Sequence, residues 1–502
     1  MLLKQVEQAA AERPESVALT FSGQSHSYAA VKEAADKLRG SLAALGIGKG
    51  DCVAILLPNC PHFIIAHLAV LGLGAISVPV HVQQKAREIG AQFEDCELRA
   101  FIAWGNRTNE TEKAVQCAES LRARIYLGDA IPAGSESLLD LIAHGESLSP
   151  DESVTESDLA ALVYTSGTSG HPRGVELTHA NFAAHASLVG HQLRIRPSDS
   201  FACTLPFSGI CGLTMGVHLP LYFGAATTVH SRFHPGDTLS GLHESKSTVL
   251  VANPAAYALM AGFPSPEKYD LGQLRYAISC ESSLPDQVAR DVEDNLKFRV
   301  FEAYGNTESC GVVTLNLFPP LAERGSVGQP IEGHEIAVLD PQGSPLAAGK
   351  CGRIAVRGPA VMRGYRSRPD KTRQVIQDGW LITGDEGYLD EQSNLFVTVQ
   401  DAEVIRKGGF PVYCREVEEV VEGLPHVQDV AVIGISDPVL GEEIKACVVL
   451  KEGAVIGPGE IVQYAKERLA PYKCPKIVKF YKELPRTPTG KIIRSVLKED
   501  RA

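Results

Sequence analysis

No two of the twelve cysteines stand at C-x-x-C spacing; they sit singly, from Cys52 to Cys474. Zinc and iron–sulfur centres are commonly built on such pairs, so neither is indicated. A positive balance is missing too: 60 acidic residues oppose 48 basic ones, for a formal charge of −12. Nucleic-acid binding needs a cationic footprint, which argues against that role. An anionic ligand stays open, because one local pocket of cations or amides suffices. Nor is there an unbroken apolar run for a membrane span, which takes about 20 residues. The most apolar stretch, Cys52 to Val82, is interrupted by Pro58, Asn59, Pro61, His62 and His67. No signal peptide, internal repeat or low-complexity tract is recognisable. Reduced thiols and a cytoplasmic location are therefore expected.

What is there is an ordinary globular composition, 502 residues with 44% hydrophobic and 22% charged. At roughly 100–200 residues per domain, that length suggests about three structural units. Over residues 1–150, helix patterns at Tyr28–Leu45, Pro61–Leu73 and Lys85–Glu94 alternate with strand patterns. The strands are Val53–Leu57, Ala75–Pro79, Ala100–Ala103 and Arg124–Leu127. Such alternation predicts an α/β fold with a largely parallel sheet. Another apolar strand, Leu159–Tyr164, precedes a loop dense in Gly, Ser and Thr, and a second α/β stretch runs from Asn181 to about Thr314. After Gly325, short strands alternate with glycine turns (Glu335–Leu339, Gly352–Arg357, Asn394–Thr398), which reads as a β-rich subdomain. From about Asp401 a segment of some 100 residues carries its own helices and strands. The expected fold class is α/β, with a small α+β unit at the C-terminal end.

The loop Tyr164-Thr165-Ser166-Gly167-Thr168-Ser169-Gly170-His171-Pro172-Arg173-Gly174 follows a strand. Glycines let backbone N–H groups turn onto an anion, and hydroxyls add donors. It is not a Walker A loop, since no Gly-Lys-Ser/Thr follows. On composition alone, a flexible surface loop competes with this reading.

The full string resembles the phosphate loop of the adenylate-forming superfamily: acyl-CoA synthetases, peptide-synthetase adenylation domains and luciferases. Three further motifs follow in family order. Tyr304-Gly305-Asn306-Thr307-Glu308 is similar to the adenylate motif, Gly379 to Gly387 to the ribose-binding motif, and Pro485 to Lys491 to the C-terminal lysine motif. The resemblance spans nearly the whole chain. It implies a large N-terminal domain at 1–399, with α/β subdomains to about 320 and a β-rich subdomain at about 325–399. A mobile small domain at 400–502 would follow on a hinge. It also implies a reaction in two halves: ATP and a carboxylate give an acyl-adenylate and pyrophosphate, the small domain rotates, and a thiol attacks.

By the same resemblance, Thr165, Ser166, Gly167, Thr168, Ser169, Gly170 and Arg173 would hold the phosphates, with Thr168 in a catalytic role. Lys491 would place a cation at the reacting carboxylate. Glu308 would bind the magnesium ion that bridges phosphates. Asp385 would accept from the ribose hydroxyls, Tyr304 would pack on the adenine, and Gly305 and Thr307 would border it. Phe207, Gly209, Tyr257, Cys310 and Gly311 would line the acyl pocket, with Cys203, Leu213, Val312 and Val313 as further walls. Gly408 and Gly409 would let the pantetheine arm of coenzyme A approach. Bland roles compete for each: a solvated tail charge for Lys491, a helix cap for Glu308, a turn residue for Asp385, core packing for the apolar side chains, and a plain turn for the glycine pair.

Departures from the family pattern are specific. His171 and Arg173 stand where lysines are usual, and Arg173 keeps the charge. Gln400 and Ala402 replace the Arg-x-Lys near the hinge, leaving Gln400 as a neutral partner for the ribose. Cys414 replaces a proline, and Ser279-Cys280-Glu281-Ser282 stands where the family has a glycine-containing adenine-site turn. Ser208 stands where amino-acid-activating domains carry aspartate, which disfavours amino-acid substrates. No carrier module follows Lys491, so a free thiol is the expected acceptor. The expected activity is ATP- and magnesium-dependent ligation of a small-molecule acid, fatty or otherwise apolar, to coenzyme A. An acyl-AMP ligase loading a carrier protein, and a nucleotide-binding relative with little turnover, stay open beside it. So does the oligomeric state, with a homodimer as one arrangement.

Overall fold

The computed structural model describes residues 1–502 except 119, 130, 166–171, 318–323, 400–403, 487–491 and 500–502. Two large sheets form the bulk of the chain. One has eight strands, with Leu159–Thr165, Ile76–Pro79, Cys52–Leu56, Ala100–Trp104 and Ala123–Leu127 side by side and parallel. The other has nine, and its parallel centre is Ala226–Val229, Ser200–Cys203, Val249–Ala252, Tyr276–Ser279 and Val300–Asn306. The alternation in the sequence thus yields the parallel sheets it predicts. One strand crosses over: Val17–Phe21, from the chain's start, pairs in parallel with Ala226–Val229 in the second sheet.

Local signals explain the helices between them. Ser27 opens the helix Tyr28–Ala44, its hydroxyl accepting from the Ala30 N–H at 3.2 Å. Pro61 occupies the first turn of Pro61–Gly72, where its missing N–H costs nothing. Eleven of that helix's twelve residues are buried, His67 among them, so it is a core helix with no solvent face. Among the described residues, no helix is long and apolar enough to cross a membrane.

A third, antiparallel sheet combines Glu335–Leu339, Gly352–Arg357, Trp380–Leu389 and Leu395–Val399. Gly387 is obligatory in it: a Cβ there would stand 2.2 Å from the Phe396 carbonyl oxygen. The short strand Gly364–Tyr365 leaves this β-rich region and pairs with Arg173–Thr178 instead. A fourth sheet carries Val404–Lys407, Phe410–Tyr413, Val427–Asp437, Gly441–Leu450 and Ile477–Tyr481. It has its own core of Ile405, Val412, Val417, Val421, Ile444 and Ile461 under the helix Cys414–Glu422.

The parallel strands point their C-terminal ends the same way. Thr165, Pro206, Glu281 and Gly305 lie at or just beyond four such ends, and all four line one cavity. Open α/β sheets bind ligands outside these ends.

Candidate active site

The cavity measures about 500 Å³ and is closed on one side by the fourth sheet. Its walls are built by turns that few sequences could make. The phosphate loop hangs from a hairpin whose last described pairs are Tyr164↔Gly174 and Thr165↔Arg173. Thr165 and Arg173 reach the cavity; Ser166, Gly167, Thr168, Ser169, Gly170 and His171 lie outside the described residues.

The adenylate motif is a second hairpin. A Cβ on Gly305 would stand 1.7 Å from the Gly311 carbonyl oxygen, so only glycine fits there. The Asn306 side chain accepts from the Ser309 N–H at 2.9 Å, and the Ser309 hydroxyl accepts from the Asn306 N–H at 3.0 Å. This box fixes the turn Thr307–Ser309 and aims Glu308 into the cavity. There the Tyr365 hydroxyl donates to Glu308 at 2.8 Å, and the Arg173 guanidinium sits 5.7 Å above the Tyr365 ring. Burial raises the Glu308 carboxyl above its usual range, against the pull of Tyr365 and Arg173. Magnesium binds through one or two carboxylates plus substrate phosphates, and a cavity-facing carboxylate such as Glu308 suits that role. Asp385, on the strand Trp380–Leu389, also lines the cavity and accepts from the Tyr304 hydroxyl at 2.9 Å.

The fourth sheet contributes a hairpin tip. Lys407 pairs with Phe410, and between them Gly408 and Gly409 have φ of 59° and 86°. A two-residue hairpin turn with both φ positive is where glycine is needed. Gly409 of the tip lines the cavity, and Asn253 Nδ2 donates to the neighbouring Gly408 carbonyl at 2.7 Å. A Cβ on Gly409 would stand 2.4 Å from Asn253 Nδ2. Beside the tip, Arg406 Nη1 donates to the Glu281 carbonyl at 3.2 Å.

A buried ion cluster holds the fourth sheet there. Lys473 Nζ lies 2.5 Å from Glu88 and 2.7 Å from Glu416, and the Ala470 N–H donates to Glu88 at 2.9 Å. Burial raises Glu88, whereas the two carboxylates hold Lys473 charged. Breaking a buried pair of this kind costs about 3–5 kcal/mol. The His81 ring packs edge-on against Phe410 and Tyr472 in the same seam, and burial beside Lys473 lowers it to about 4, so it stays neutral.

The structure thus brings Thr165, Arg173, Gly305, Thr307, Glu308, Asp385, Gly209 and Gly409 to one cavity. Gly408 does not line it, and is held through its carbonyl by Asn253. It does not bring the expected acyl walls there. Phe207, Tyr257, Cys310 and Gly311 are buried in the core, as are Cys203, Leu213, Val312 and Val313. The reason is backbone pairing and packing. The Phe207 N–H donates to Asn59 at 2.8 Å, and the Tyr257 hydroxyl donates to the Ile278 carbonyl at 3.1 Å. Of that segment the cavity sees Pro206, Ser208, Gly209, Ile210 and Cys211. Tyr304 is 7% exposed, and its neighbour Gly305 lines the cavity in its place. Gln400, Ala402 and Lys491 lie outside the described residues.

Sequence reading missed four participants: Glu281, Arg406, Tyr365 and the Glu88–Lys473–Glu416 cluster. Glu281 had left a signal, as a charged residue within a turn that usually carries glycine. The others leave none, because partners such as Lys473 and Glu88 stand 385 positions apart.

Comparison with known proteins fits this geometry. The model of the AMP-binding enzyme family matches residues 6–366, and that of the AMP-binding enzyme C-terminal domain matches residues 416–491. A long-chain-fatty-acid–CoA ligase of Bacillus subtilis (strain 168) is 31% identical, over 98% of this chain and 93% of its own. A double mutant of o-succinylbenzoate CoA synthetase from Bacillus subtilis, bound to a product analogue, superposes with a TM-score of 0.88 at 28% identity. That match covers 99% of this chain and 98% of the other. ATP-bound MatB from Rhodopseudomonas palustris gives a TM-score of 0.74 at 28% identity, covering 99% of each chain. The chain belongs to the AMP-binding enzyme family, and is an acid–thiol ligase that joins a carboxylic acid to coenzyme A at the expense of ATP, with magnesium.

Proposed function

We propose that the acid is fatty or otherwise apolar, and that the one cavity serves both halves of the reaction in turn. The observation that carries the second point is the Gly408–Gly409 hairpin tip, docked at the cavity. The flanks of Lys491 are elsewhere: Arg486 pairs with Asp429 at 2.6 Å, and Ile492 packs against a cluster that includes Ile433 and Val449. The arrangement therefore suits thiol attack, with a hinge near residue 400 carrying Lys491 in for adenylation.

In this reading the loop from Thr165 to Arg173 holds the β- and γ-phosphates, and Glu308 holds the magnesium ion. The ion would offset the phosphates' negative charge as the acid approaches. Asp385 takes the ribose hydroxyls, with Gln400 beside them. Gly408 and Gly409 let the pantetheine arm pass. Among the described residues the cysteines are free and mostly buried, which suits a cytoplasmic setting.

The acyl chain enters past Gly209. A Cβ there meets nothing closer than the Pro206 carbonyl at 3.5 Å and Glu281 Oε1 at 3.8 Å, so the backbone accepts a side chain that the native residue omits. Each buried methylene is worth about 0.8 kcal/mol, so adenylation at low substrate should strengthen with chain length until the space ends. Pyrophosphate release across straight-chain and aryl acids tests this. A protein that uses only acids of two or three carbons would refute the apolar assignment. Gly209→Phe should shift the profile to shorter acids; an unchanged profile would remove Gly209 from the acyl path.

A further inference from the structure

Glu281 faces the cavity, and none of the roles above employs it. It follows the strand Tyr276–Ser279 with φ of 76°, a left-handed conformation that costs a side-chain-bearing residue energy. Its carboxyl stands between the two glycines that frame the reaction. Oε1 is 3.8 Å from where a Cβ on Gly209 would be, and Oε2 is 2.9 Å from where one on Gly409 would be. One oxygen therefore borders the acyl side and the other borders the hairpin tip.

The chemistry of the second half-reaction needs a group in that place. A thiol of ordinary pKa, about 8.5, is only a few per cent ionised at neutral pH, yet the thiolate is the nucleophile. We propose that Glu281 accepts the proton of the coenzyme A thiol as its sulfur attacks the acyl-adenylate. The inference rests on the reading that the thiol enters along Gly408 and Gly409. In the step, the S–H bond breaks and the proton passes to a Glu281 carboxylate oxygen. The sulfur forms a bond to the acyl carbon, the bond from that carbon to the bridging oxygen breaks, and AMP leaves with the electron pair. Glu281 then returns its proton to solvent.

The surroundings fit this task. Burial pushes the carboxyl up to about 7, and the Arg406 guanidinium pulls it back down. Arg406 belongs to the fourth sheet, so the motion that delivers the thiol also delivers the cation that favours the ionised form of Glu281. The other titratable groups facing it are thiols: Cys203 from the strand Ser200–Cys203, its own neighbour Cys280, and Cys211, which bonds to Cys280. Burial pushes Cys203 up to about 12, and the hydrogen bond with Cys211, with burial behind it, raises Cys280 well above its usual range, so neither competes for the proton near neutral pH.

The test separates the halves. Enzyme, acid and ATP are mixed and pyrophosphate release is followed; coenzyme A is then added and thioester formation is read in a single turnover from pH 5.5 to 9. Glu281→Gln keeps the shape, and Glu281→Gly suits the left-handed backbone better than the native residue does. Both variants should release pyrophosphate at close to the wild-type rate. Both should form thioester about 10²-fold more slowly at pH 7, the low end for general-base catalysis. The wild-type transfer rate should rise through about pH 7 as the carboxylate ionises. The variants should instead rise only as the thiol itself ionises, near pH 8.5. Transfer at the wild-type rate, or an unchanged pH profile, would overturn the proposal. So would an equal loss of pyrophosphate release, because Glu281 would then be serving the acid or the fold. A wild type that releases no pyrophosphate with any acid would refute the ligase reading and this proposal with it.

Discussion

Lys491→Ala is expected to abolish acyl-adenylate formation while leaving the fold intact and the thiol step close to normal. Adenylation brings a carboxylate against a triphosphate, and a cation must arrive to offset that repulsion as the new bond forms. The proposed roles give this to Lys491 alone among the residues of its motif. Its flanks sit away from the cavity while the Gly408–Gly409 tip occupies it. In the proposed reading the lysine acts after the small unit turns, so its loss should spare the thiol step. Losing one preorganised donor at a developing charge costs about 2.7–4 kcal/mol, or some 10²–10³ in rate. The measurement is acid-dependent pyrophosphate release beside thioester formation from supplied acyl-adenylate. Near-normal pyrophosphate release would remove Lys491 from the role. An equal loss in both halves would mean that the two halves do not use separate arrangements.

Asp385→Ala should act on ATP rather than on the acid. The carboxylate lines the cavity while 6% exposed and is held by the Tyr304 hydroxyl at 2.9 Å, so in the proposed role it would meet the ribose already oriented. A hydrogen bond to a charged group is worth about 1.5–3 kcal/mol, which corresponds to about a tenfold to hundredfold rise in KM for ATP. Asp385→Asn keeps an acceptor for Tyr304 and should lose less. Steady-state kinetics with ATP varied at saturating acid will show whether KM moves. A variant whose KM for ATP is unchanged, with only the KM for acid raised, would contradict the assignment.

The sequence made the layered part of this molecule legible because its signals are local. Pro61, the Ser27 cap and the apolar blocks at Cys52–Leu56 and Ala100–Trp104 each act within a few residues, and the expected elements match the observed ones to within a residue or two. The motifs located the cavity for the same reason: each is one turn, and Gly305 or the Gly408–Gly409 pair must be glycine where it stands. The acyl walls were not legible. Phe207, Tyr257 and Cys310 have the right chemistry for a tunnel, but apolar residues are equally at home in a core, and only packing decides. The seam was hidden as well. Glu88 belongs to the first sheet's surroundings and Lys473 to the fourth, and nothing in either stretch announces the other.

The most direct test of the central claim follows one oxygen atom. If a carboxylate oxygen attacks the α-phosphorus of ATP, and a thiol later displaces AMP from the acyl carbon, that oxygen leaves in AMP. Turnover of an acid labelled with heavy oxygen in its carboxylate, in the presence of ATP, magnesium and coenzyme A, should give AMP carrying one labelled oxygen per thioester formed. Label in inorganic phosphate or pyrophosphate, or thioester formed with unlabelled AMP, would contradict the account.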